Sequence, residues 1–274
     1  MASKLEVDIP QPKRNPDGEA QVYYTLYYNC AINNRKNVPQ EHIEDSPGKS
    51  RSSLIERVYP YISSLRKDSL VLDLGAGRQI FEKEYEDKYG KPECDIITLD
   101  IAKIPKERLL AKDYQHVLAT GRALPFKNET FAALISNMAF DFMLPETLTQ
   151  LHRVIKQGAW IFLNLHHPSL TDYDIDTEIA RLNRQMKYKK NIKPQKILQL
   201  AVYQYHKHLR DNRLLFETED QIRKVFGIGG FEVKGIEIKS DQNNKWWEVD
   251  LRKLSSSERE SLSSEGSIFD SKNR

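Results

Sequence analysis

The chain has 274 residues, of which 39% are hydrophobic and 30% charged, enough for one large α/β domain with additions or for two small domains. No apolar run approaches the roughly 18–20 residues of a membrane span, and the N-terminus lacks the apolar core of a signal peptide, so we expect a cytoplasmic protein. Cys30 and Cys94 are the only cysteines, which excludes a disulfide scaffold and a cysteine-built zinc site, and the net charge of +3 says little about partners.

The first 50 residues are interpreted as an N-terminal arm. Residues 1–20 are polar and dotted with prolines, which predicts disorder. Four tyrosines follow at helical spacing, at positions 23, 24, 27 and 28. They are candidates for a lid over a ligand, although aromatic residues at this spacing more often pack against the domain. A helix is predicted over residues 52–65, because one of its faces carries Leu54, Ile55, Val58 and Ile62.

From residue 70 onward, short apolar runs alternate with helical segments. Runs that are apolar on both faces and separated by helices predict a parallel sheet that is covered on both sides. Helices are predicted in the two intervals between the first three runs, and again over residues 146–156. The five runs span residues 70–74, 95–99, 114–119, 131–136 and 159–165.

The alternation is interrupted after the fifth run. Residues 171–213 have the pattern of two helices, which predicts a helical cap inserted after strand five. A helix then begins at Thr218 and ends at residues 227–230, and two antiparallel strands follow at 231–239 and 245–251. The predicted division is an arm and possible lid at 1–50, a main domain at 51–252 that contains the cap, and a disordered tail at 253–274.

A glycine turn follows the first predicted strand, where residues 75–77 read Gly-Ala-Gly. Glycine is needed where the backbone must approach a ligand, because a Cβ would block the approach. Asp73 ends the first strand, near where a carboxylate can meet a cationic amine. Asp100 ends the second strand, where an acid can accept both hydroxyls of a ribose. Ile80 occupies the place of the last glycine in a dinucleotide motif, so a nicotinamide dinucleotide is disfavoured.

Several segments in register resemble class I (Rossmann-like) S-adenosylmethionine-dependent methyltransferases, particularly the broad small-molecule-type group. The segments are residues 71–77, 119–126, 131–137, 151–158 and 229–233. The resemblance implies a doubly wound, seven-stranded, mainly parallel α/β sheet with an antiparallel last strand, an N-terminal helical segment and a helical cap after strand five. It also implies S-adenosylmethionine as cofactor, and the positions that would bind it are Asp73, Gly75, Ala76, Gly77, Asp100, Ile101, Thr120, Gly121, Leu124 and Asn137.

Three positions depart from the family's pattern. Gln79 stands where a third glycine is usual, and Ala132 stands where strand four usually has an aspartate. Thr120 replaces an acid that usually meets the adenine amino group, and its hydroxyl accepts a weaker hydrogen bond than a carboxylate does. These departures favour an alternative from another class, a catalytically silent relative that serves as a binding or scaffold protein.

Two side chains near the carboxyl edge of the sheet are candidate catalytic groups. Methyl transfer needs mainly alignment and, for some acceptors, removal of a proton. His167 follows strand five and is a candidate base or orienting group, and Asp141 follows strand four. Both are also explained by structural hydrogen bonds or substrate packing. His166 and His167 do not predict a metal site, because adjacent residues rarely point the same way and no third ligand is evident.

The predicted cap carries ten lysines and arginines between residues 181 and 213, against one acid, Asp211. A solvated helical face is the commonest explanation of such a run. If the cap covers a substrate pocket, its charge favours an acidic or lipid-like small molecule. RNA is the alternative acceptor, because basic side chains attract phosphates and Tyr188, Tyr203 and Tyr205 are interleaved with them. The leading hypothesis is a methyltransferase acting on a small molecule.

Overall fold

A computed structural model describes residues 40–143, 147–168, 175–188, 215–241 and 245–255, together with positions 18, 20–22, 24, 25, 200, 204, 207, 257 and 258. Side chains of the first helix are described from residue 49 onward. Within this part of the chain, no helix is both long and apolar enough to cross a membrane.

Five helices and seven strands form the described structure. The helices are α1 (Gln40–Ile62), α2 (Ile80–Tyr89), α3 (Thr147–Val154), α4 (Ile175–Tyr188) and α5 (Glu219–Ile228). The strands are β1 (Leu70–Leu74), β2 (Asp95–Asp100), β3 (Gln115–Leu118), β4 (Phe131–Asn137), β5 (Ile155–His166), β6 (Phe231–Ser240) and β7 (Lys245–Lys253). Thr218 caps α5 as predicted, because its side chain accepts a hydrogen bond of 3.3 Å from the Gln221 amide.

The strands form one sheet in the order β3-β2-β1-β4-β5-β7-β6. Neighbours from β3 to β5 are parallel, and β7 runs antiparallel to both β5 and β6. Helices α1 and α2 pack on one face, around Val58, Phe81 and Ile135, and α3 and α5 pack on the other, around Leu151 and Phe226. This is the doubly wound α/β sheet with an antiparallel last strand that the sequence predicts, and that prediction is confirmed.

Some local predictions differ from the structure. The interval between β2 and β3 holds a single 3-10 turn, Lys106–Arg108, and no α-helix. Pro105 explains the difference, because a proline disfavours the helical conformation of the residue before it. The predicted helix 52–65 begins earlier, at Gln40, and ends at Ile62. Strand β5 begins at Ile155, directly after α3, so the predicted helix 146–156 ends two residues early.

The predicted domain boundaries at 50 and 252 fall inside α1 and β7. Helix α4 occupies the first half of the predicted cap, with Leu182 buried, and its second helix lies mostly outside the described residues. Most of the predicted arm and tail also lie outside them. In the arm, Tyr24 packs beside Ile104 in the segment after β2, and the other three tyrosines are not described.

Candidate functional site

The glycine turn after β1 has the backbone that its sequence predicts. Gly75 and Gly77 have φ values of +82° and +54°, in the left-handed region that side chains disfavour. The amides of Gly75 and Ala76 donate to the carbonyl of Leu99, at 2.8 and 3.1 Å, and so tie the turn to β2. A Cβ built on Gly75 would lie 2.4 Å from the Cβ of Ala139, after β4. The turn therefore packs directly against the segment that follows β4.

Asp100 lies across the turn, at the carboxyl end of β2. Its two carboxylate oxygens accept hydrogen bonds of 2.8 Å from the amides of Gly77 and Ala102. Burial raises the pKa of Asp100 to about 6, although these amides lower it. A carboxylate oxygen accepts more than one hydrogen bond, so each oxygen retains capacity for a ribose hydroxyl. Ile101 is half-buried next to it.

Gln79 occupies the place of the missing third glycine. Its φ and ψ of 64° and 41° are left-handed, so the backbone takes the conformation that a glycine would give. The side chain is buried, and its Nε2 donates to Thr98 Oγ1 at 2.9 Å. The side chain thus turns inward beneath α2, and the departure at Gln79 preserves the shape of the turn.

A pair of buried carboxyl groups lies behind this turn. Asp73 of β1 and Glu82 in the first turn of α2 face each other within hydrogen-bonding reach. Burial, together with the charges of Glu82 and Asp100, raises the pKa of Asp73 well above its usual range. Glu82 was not predicted from the sequence, because a glutamate in the first turn of a helix is usually a solvated residue that complements the helix dipole.

The loop after β3 holds the residues predicted to border an adenine. The Ala119 amide donates to the Asp100 carbonyl at 3.1 Å, which brings the loop beside the end of β2. Thr120 Oγ1 accepts a hydrogen bond of 3.2 Å from the Arg122 amide, and Leu124 is buried. Gly121 is packed so tightly that a Cβ there would lie 2.6 Å from Met143 Sδ.

Asn137, at the end of β4, is held by protein groups. Its Oδ1 accepts from the Ser50 hydroxyl at 3.2 Å and from Asn164 Nδ2 at 3.0 Å. Asn137 therefore joins β4 to α1 and β5. Its predicted role in cofactor binding remains a prediction.

Asp141 pairs with His166, the neighbour of the predicted catalytic candidate His167. His166 Nδ1 lies 2.8 Å from Asp141 Oδ2, and the Asp141 side chain is fully buried. The other oxygen of Asp141, Oδ1, is buried without a hydrogen-bond partner in the described part of the chain. His167 instead lies against Trp247, with ring centroids 5.3 Å apart, and burial and Lys245 lower its pKa. The structure thus brings Asp141 to His166 and not to His167.

The Asp141–His166 pair lies next to the glycine turn. Ser136 Oγ donates to the Leu74 carbonyl at 2.7 Å, which joins the ends of β4 and β1. Ala139, which touches Gly75, comes two residues before Asp141, in a segment that forms the 3-10 turn Phe140–Phe142. The ring of Phe142 packs on His166 with centroids 5.3 Å apart. The two groups of predicted residues therefore meet at one edge of the sheet.

An ionic cluster, in which Glu248 is buried and Arg57 and Asp250 are half-buried, fixes α1 beside this edge. Arg57 forms ion pairs with Glu248 at 3.0 Å and with Asp250 at 3.1 Å, both on β7. Its Nη2 also donates to Asn164 Oδ1 at 3.0 Å. Glu248 accepts further hydrogen bonds from Ser53 and from the indole of Trp246. No sequence motif indicated this cluster, because its members are about 190 positions apart.

The basic run of the predicted cap falls mostly outside the described residues. Arg181, Arg184 and Lys187 lie on α4, and position 207 is described alone. The predicted role of the cap over a substrate therefore remains a prediction.

Comparisons with known proteins agree with this geometry. Residues 72–163 match a family described as a methyltransferase domain. The structure of Burkholderia thailandensis 1,6-didemethyltoxoflavin-N1-methyltransferase, with bound 1,6-didemethyltoxoflavin and S-adenosylhomocysteine, is 12% identical over 90% of this chain and 94% of that chain, with a TM-score of 0.54. Synechocystis magnesium protoporphyrin IX methyltransferase with bound S-adenosylhomocysteine is 10% identical over 87% and 99% of the two chains, with a TM-score of 0.53.

Among curated proteins, the uncharacterized protein MJ1123 of Methanocaldococcus jannaschii is 23% identical over 174 residues, which are 58% of this chain and 78% of that protein. At these identities the solved structures show that the fold is shared. The family match identifies residues 72–163 as similar to a methyltransferase domain. Together they confirm the family resemblance that the sequence motifs predict.

Proposed function

We propose that this chain transfers a methyl group from S-adenosylmethionine to a small-molecule acceptor, because residues 72–163 match a methyltransferase domain and the fold is shared with methyltransferases that bind S-adenosylhomocysteine. The observation that carries the proposal is the contact of Gly75 with Ala139, because it puts the cofactor turn beside the Asp141–His166 pair. A place for the cofactor and a group that can take a proton then lie at the same edge of the sheet.

The residues at the turn fit the cofactor. Gly75, Ala76 and Gly77 present a backbone without large side chains, and Asp100 retains acceptor capacity for the ribose hydroxyls. Asp73 lies on the side where the methionine ammonium would be held. When bound, the cofactor supplies a methyl group that is already activated by a sulfonium. The protein's own task is to orient the acceptor and to accept its proton.

We assign proton removal to His166. With Nδ1–H donating to Asp141, the neutral imidazole carries its lone pair on Nε2, and that atom accepts a proton from the acceptor. Asp141 fixes the orientation of the ring and stabilises the imidazolium. It is a positioning residue for His166. His167, against Trp247, is the alternative base.

The acceptor class is proposed from two features. The Asp141–His166 pair is largely enclosed, with Phe142 packed on the histidine ring, and such a site suits a small molecule better than a polymer. The Burkholderia and Synechocystis structures belong to enzymes whose names specify small-molecule acceptors. RNA methylation and a silent scaffold are the alternatives that the experiments below test.

Calorimetric titration with S-adenosylmethionine and S-adenosylhomocysteine tests the part of the proposal that concerns the cofactor. We expect Asp100→Ala to weaken binding by roughly 10–100-fold, because the ribose loses a charged acceptor, an effect of about 1.5–3 kcal/mol. Asp113→Ala is the matched control, because Asp113 is an exposed acid whose ion pair among the described residues is a 3.7 Å contact with Lys91. The absence of wild-type binding at millimolar cofactor would contradict the proposal and favour the scaffold.

Turnover on a panel of small acceptors tests the part of the proposal that concerns the acceptor and the general base. We expect His166→Gln to lower kcat by about 100-fold or more, with cofactor affinity unchanged, because the general base is lost. His167→Gln is the matched control and should retain most of the turnover. The reverse pattern would assign the base to His167. Turnover of RNA alone, with binding that weakens steeply in added salt, would replace the small-molecule acceptor by RNA.

A further inference from the structure

Asp73 and Glu82 form a contact that one shared proton explains. Asp73 is 4% exposed and Glu82 is fully buried, and in the described part of the chain neither forms an ion pair. Both carboxylate oxygens of Glu82 are buried, and no other residue in the described part of the chain donates a hydrogen bond to them, although the residue's own amide approaches them. Two ionised carboxylates cannot hydrogen bond, because each oxygen only accepts. With one proton between them, the contact becomes a hydrogen bond.

The groups around the pair are acidic as well. Asp100 faces Asp73 from β2, Glu86 approaches Glu82 from the next turn of α2, and the Tyr114 hydroxyl faces Glu82 and Glu86 from the segment before β3. Burial is the main cause that raises the pKa of Glu82, to about 7, and the Asp73 contact opposes it. The pair therefore carries one negative charge near neutral pH in the absence of a neighbouring cation.

We propose that Asp73 and Glu82 share one proton in the cofactor-free protein, and that binding of the cofactor's cationic ammonium end releases this proton to solvent. The proposal rests on the proposed function. The O–H bond of the shared proton breaks, the proton passes to the buffer, and the charge of the pair changes from −1 to −2 opposite the ammonium. Glu82 acts through Asp73 and is a positioning residue for the cofactor.

Because cofactor binding is coupled to the release of a proton, the direction in which the cofactor affinity changes with pH is fixed. The cation binds the form of the pair that has lost the proton, so affinity rises as the pH rises through the range in which the free pair titrates. Between pH 5.5 and 7 we expect the dissociation constant for S-adenosylmethionine to fall by up to about tenfold per pH unit, the limit for one released proton. At lower pH the free pair holds its proton more firmly and must still release it when the cofactor binds, so binding is weaker.

Titration calorimetry in buffers of different ionisation enthalpy counts the released protons. At pH 6.5 we expect close to one proton for S-adenosylmethionine and for S-adenosylhomocysteine, because both carry the ammonium. Methylthioadenosine keeps the adenosine and sulfur but lacks the ammonium, so it should release only the small fraction of a proton that Asp100 holds at this pH, because the pKa of Asp100 is about 6. Since its ribose also meets Asp100, this ligand separates the Asp73–Glu82 pair from Asp100 as the source of the proton.

The variant Glu82→Gln tests the assignment within the pair. The amide keeps the size of the side chain and donates to Asp73 without an ionisable proton, so Asp73 remains ionised. We expect proton release to fall to the small fraction that Asp100 supplies, the pH dependence of the affinity to shrink to that same contribution, and binding at pH 5.5 to become tighter than in the wild type. Asp87→Asn is the matched control on the same helix, because Asp87 is exposed and pairs with Lys83.

The outcomes separate this inference from the proposed function. Binding of S-adenosylmethionine without proton release overturns the shared proton and leaves the methyltransferase proposal intact. Equal release in the wild type and in Glu82→Gln, or as much release with methylthioadenosine as with S-adenosylmethionine, assigns the proton elsewhere and also overturns it. No binding of any of the three ligands overturns both proposals.

Discussion

The two halves of the functional edge handle buried charge in opposite ways. In the cofactor half, at β1 and β2, the described side chains Asp73, Glu82 and Asp100 form no ion pair, and burial raises the pKa of each. In the acceptor half, at β4, β5 and β7, Asp141 pairs with His166, and Arg57 contacts Glu248 and Asp250. The acceptor half therefore gives each of these acids a partner within the protein, the imidazole of His166 for Asp141 and the guanidinium of Arg57 for Glu248 and Asp250.

This difference follows from what each half must do. Unpaired buried carboxylates are costly, and a fold retains them where a cation from outside compensates. The ammonium group of the proposed cofactor is such a cation, and on this proposal the cofactor half is complete only with its ligand. The acceptor half must hold a histidine and the helix α1 in one geometry, and paired charges achieve this. Three predictions test the contrast, starting with the largest expected effect.

Gly75→Ala should be the most damaging single change in the cofactor half. The added Cβ would lie 2.4 Å from the Cβ of Ala139, and the φ of +82° disfavours any side chain. We expect the free energy of unfolding to fall by about 4 kcal/mol, from about 1–2 for the left-handed backbone and about 1–3 for overpacking. Chemical denaturation measures the effect, and cofactor binding should be lost with it.

Gly90→Ala is the control for Gly75→Ala. Gly90 has the same φ of +82°, but a Cβ there would meet nothing within 4 Å. Gly90→Ala therefore reports backbone strain alone, at a ψ of 174° that is essentially limited to glycine. The contact with Ala139 is isolated by Ala139→Gly in the Gly75→Ala background, which should recover the overpacking part of the loss. If Ala139→Gly recovers no stability, the turn does not depend on the segment that leads to Asp141.

Arg57→Met should damage the acceptor half and spare the cofactor half. It leaves Glu248 and Asp250 without their cation, and we expect a loss of about 3 kcal/mol in the free energy of unfolding. Cofactor affinity should change by less than about twofold, because Arg57 contacts neither the turn nor Asp100. The control is Arg66→Ala, whose ion pair with Asp68 is exposed and should contribute less than about 0.5 kcal/mol. A large fall in cofactor affinity for Arg57→Met would show that the halves are coupled.

The cofactor half was predictable because its signals are local in the sequence. Gly75, Gly77 and Asp100 are read from strand ends and turns, and the structure places them together as expected. Helix α2 could be predicted in the same way. The interval before β3 could not, because a single proline outweighed a helical composition there.

The acceptor half was less predictable because its contacts are distant in sequence. Choosing between His166 and His167 requires knowing which face of the sheet each side chain points to at the very end of β5. The ends of strands are the least certain feature of a sequence pattern. Pairing His166 with Trp246 of β7 fixes these directions in the structure. Arg57 and Glu82 gave no signal, because an arginine or a glutamate on an amphipathic helix is normally expected to face solvent.

Gln79 gives the smallest expected effect and the sharpest comparison with the family's glycine. Gln79→Gly relieves the strain of a left-handed backbone, worth about 1–2 kcal/mol. It also removes the hydrogen bond to Thr98, worth about 1 kcal/mol, and increases the conformational entropy of the unfolded chain, and both of these effects destabilise the protein. We expect the free energy of unfolding to stay within about 1 kcal/mol of the wild type. Gln79→Ala keeps the strained backbone and loses the hydrogen bond, so it should cost about 2 kcal/mol. Denaturation of both variants measures the difference. If Gln79→Gly is the more damaging, the buried amide contributes more than the shape of the turn, and the glutamine is then a requirement of this cofactor half and not a tolerated substitute for glycine.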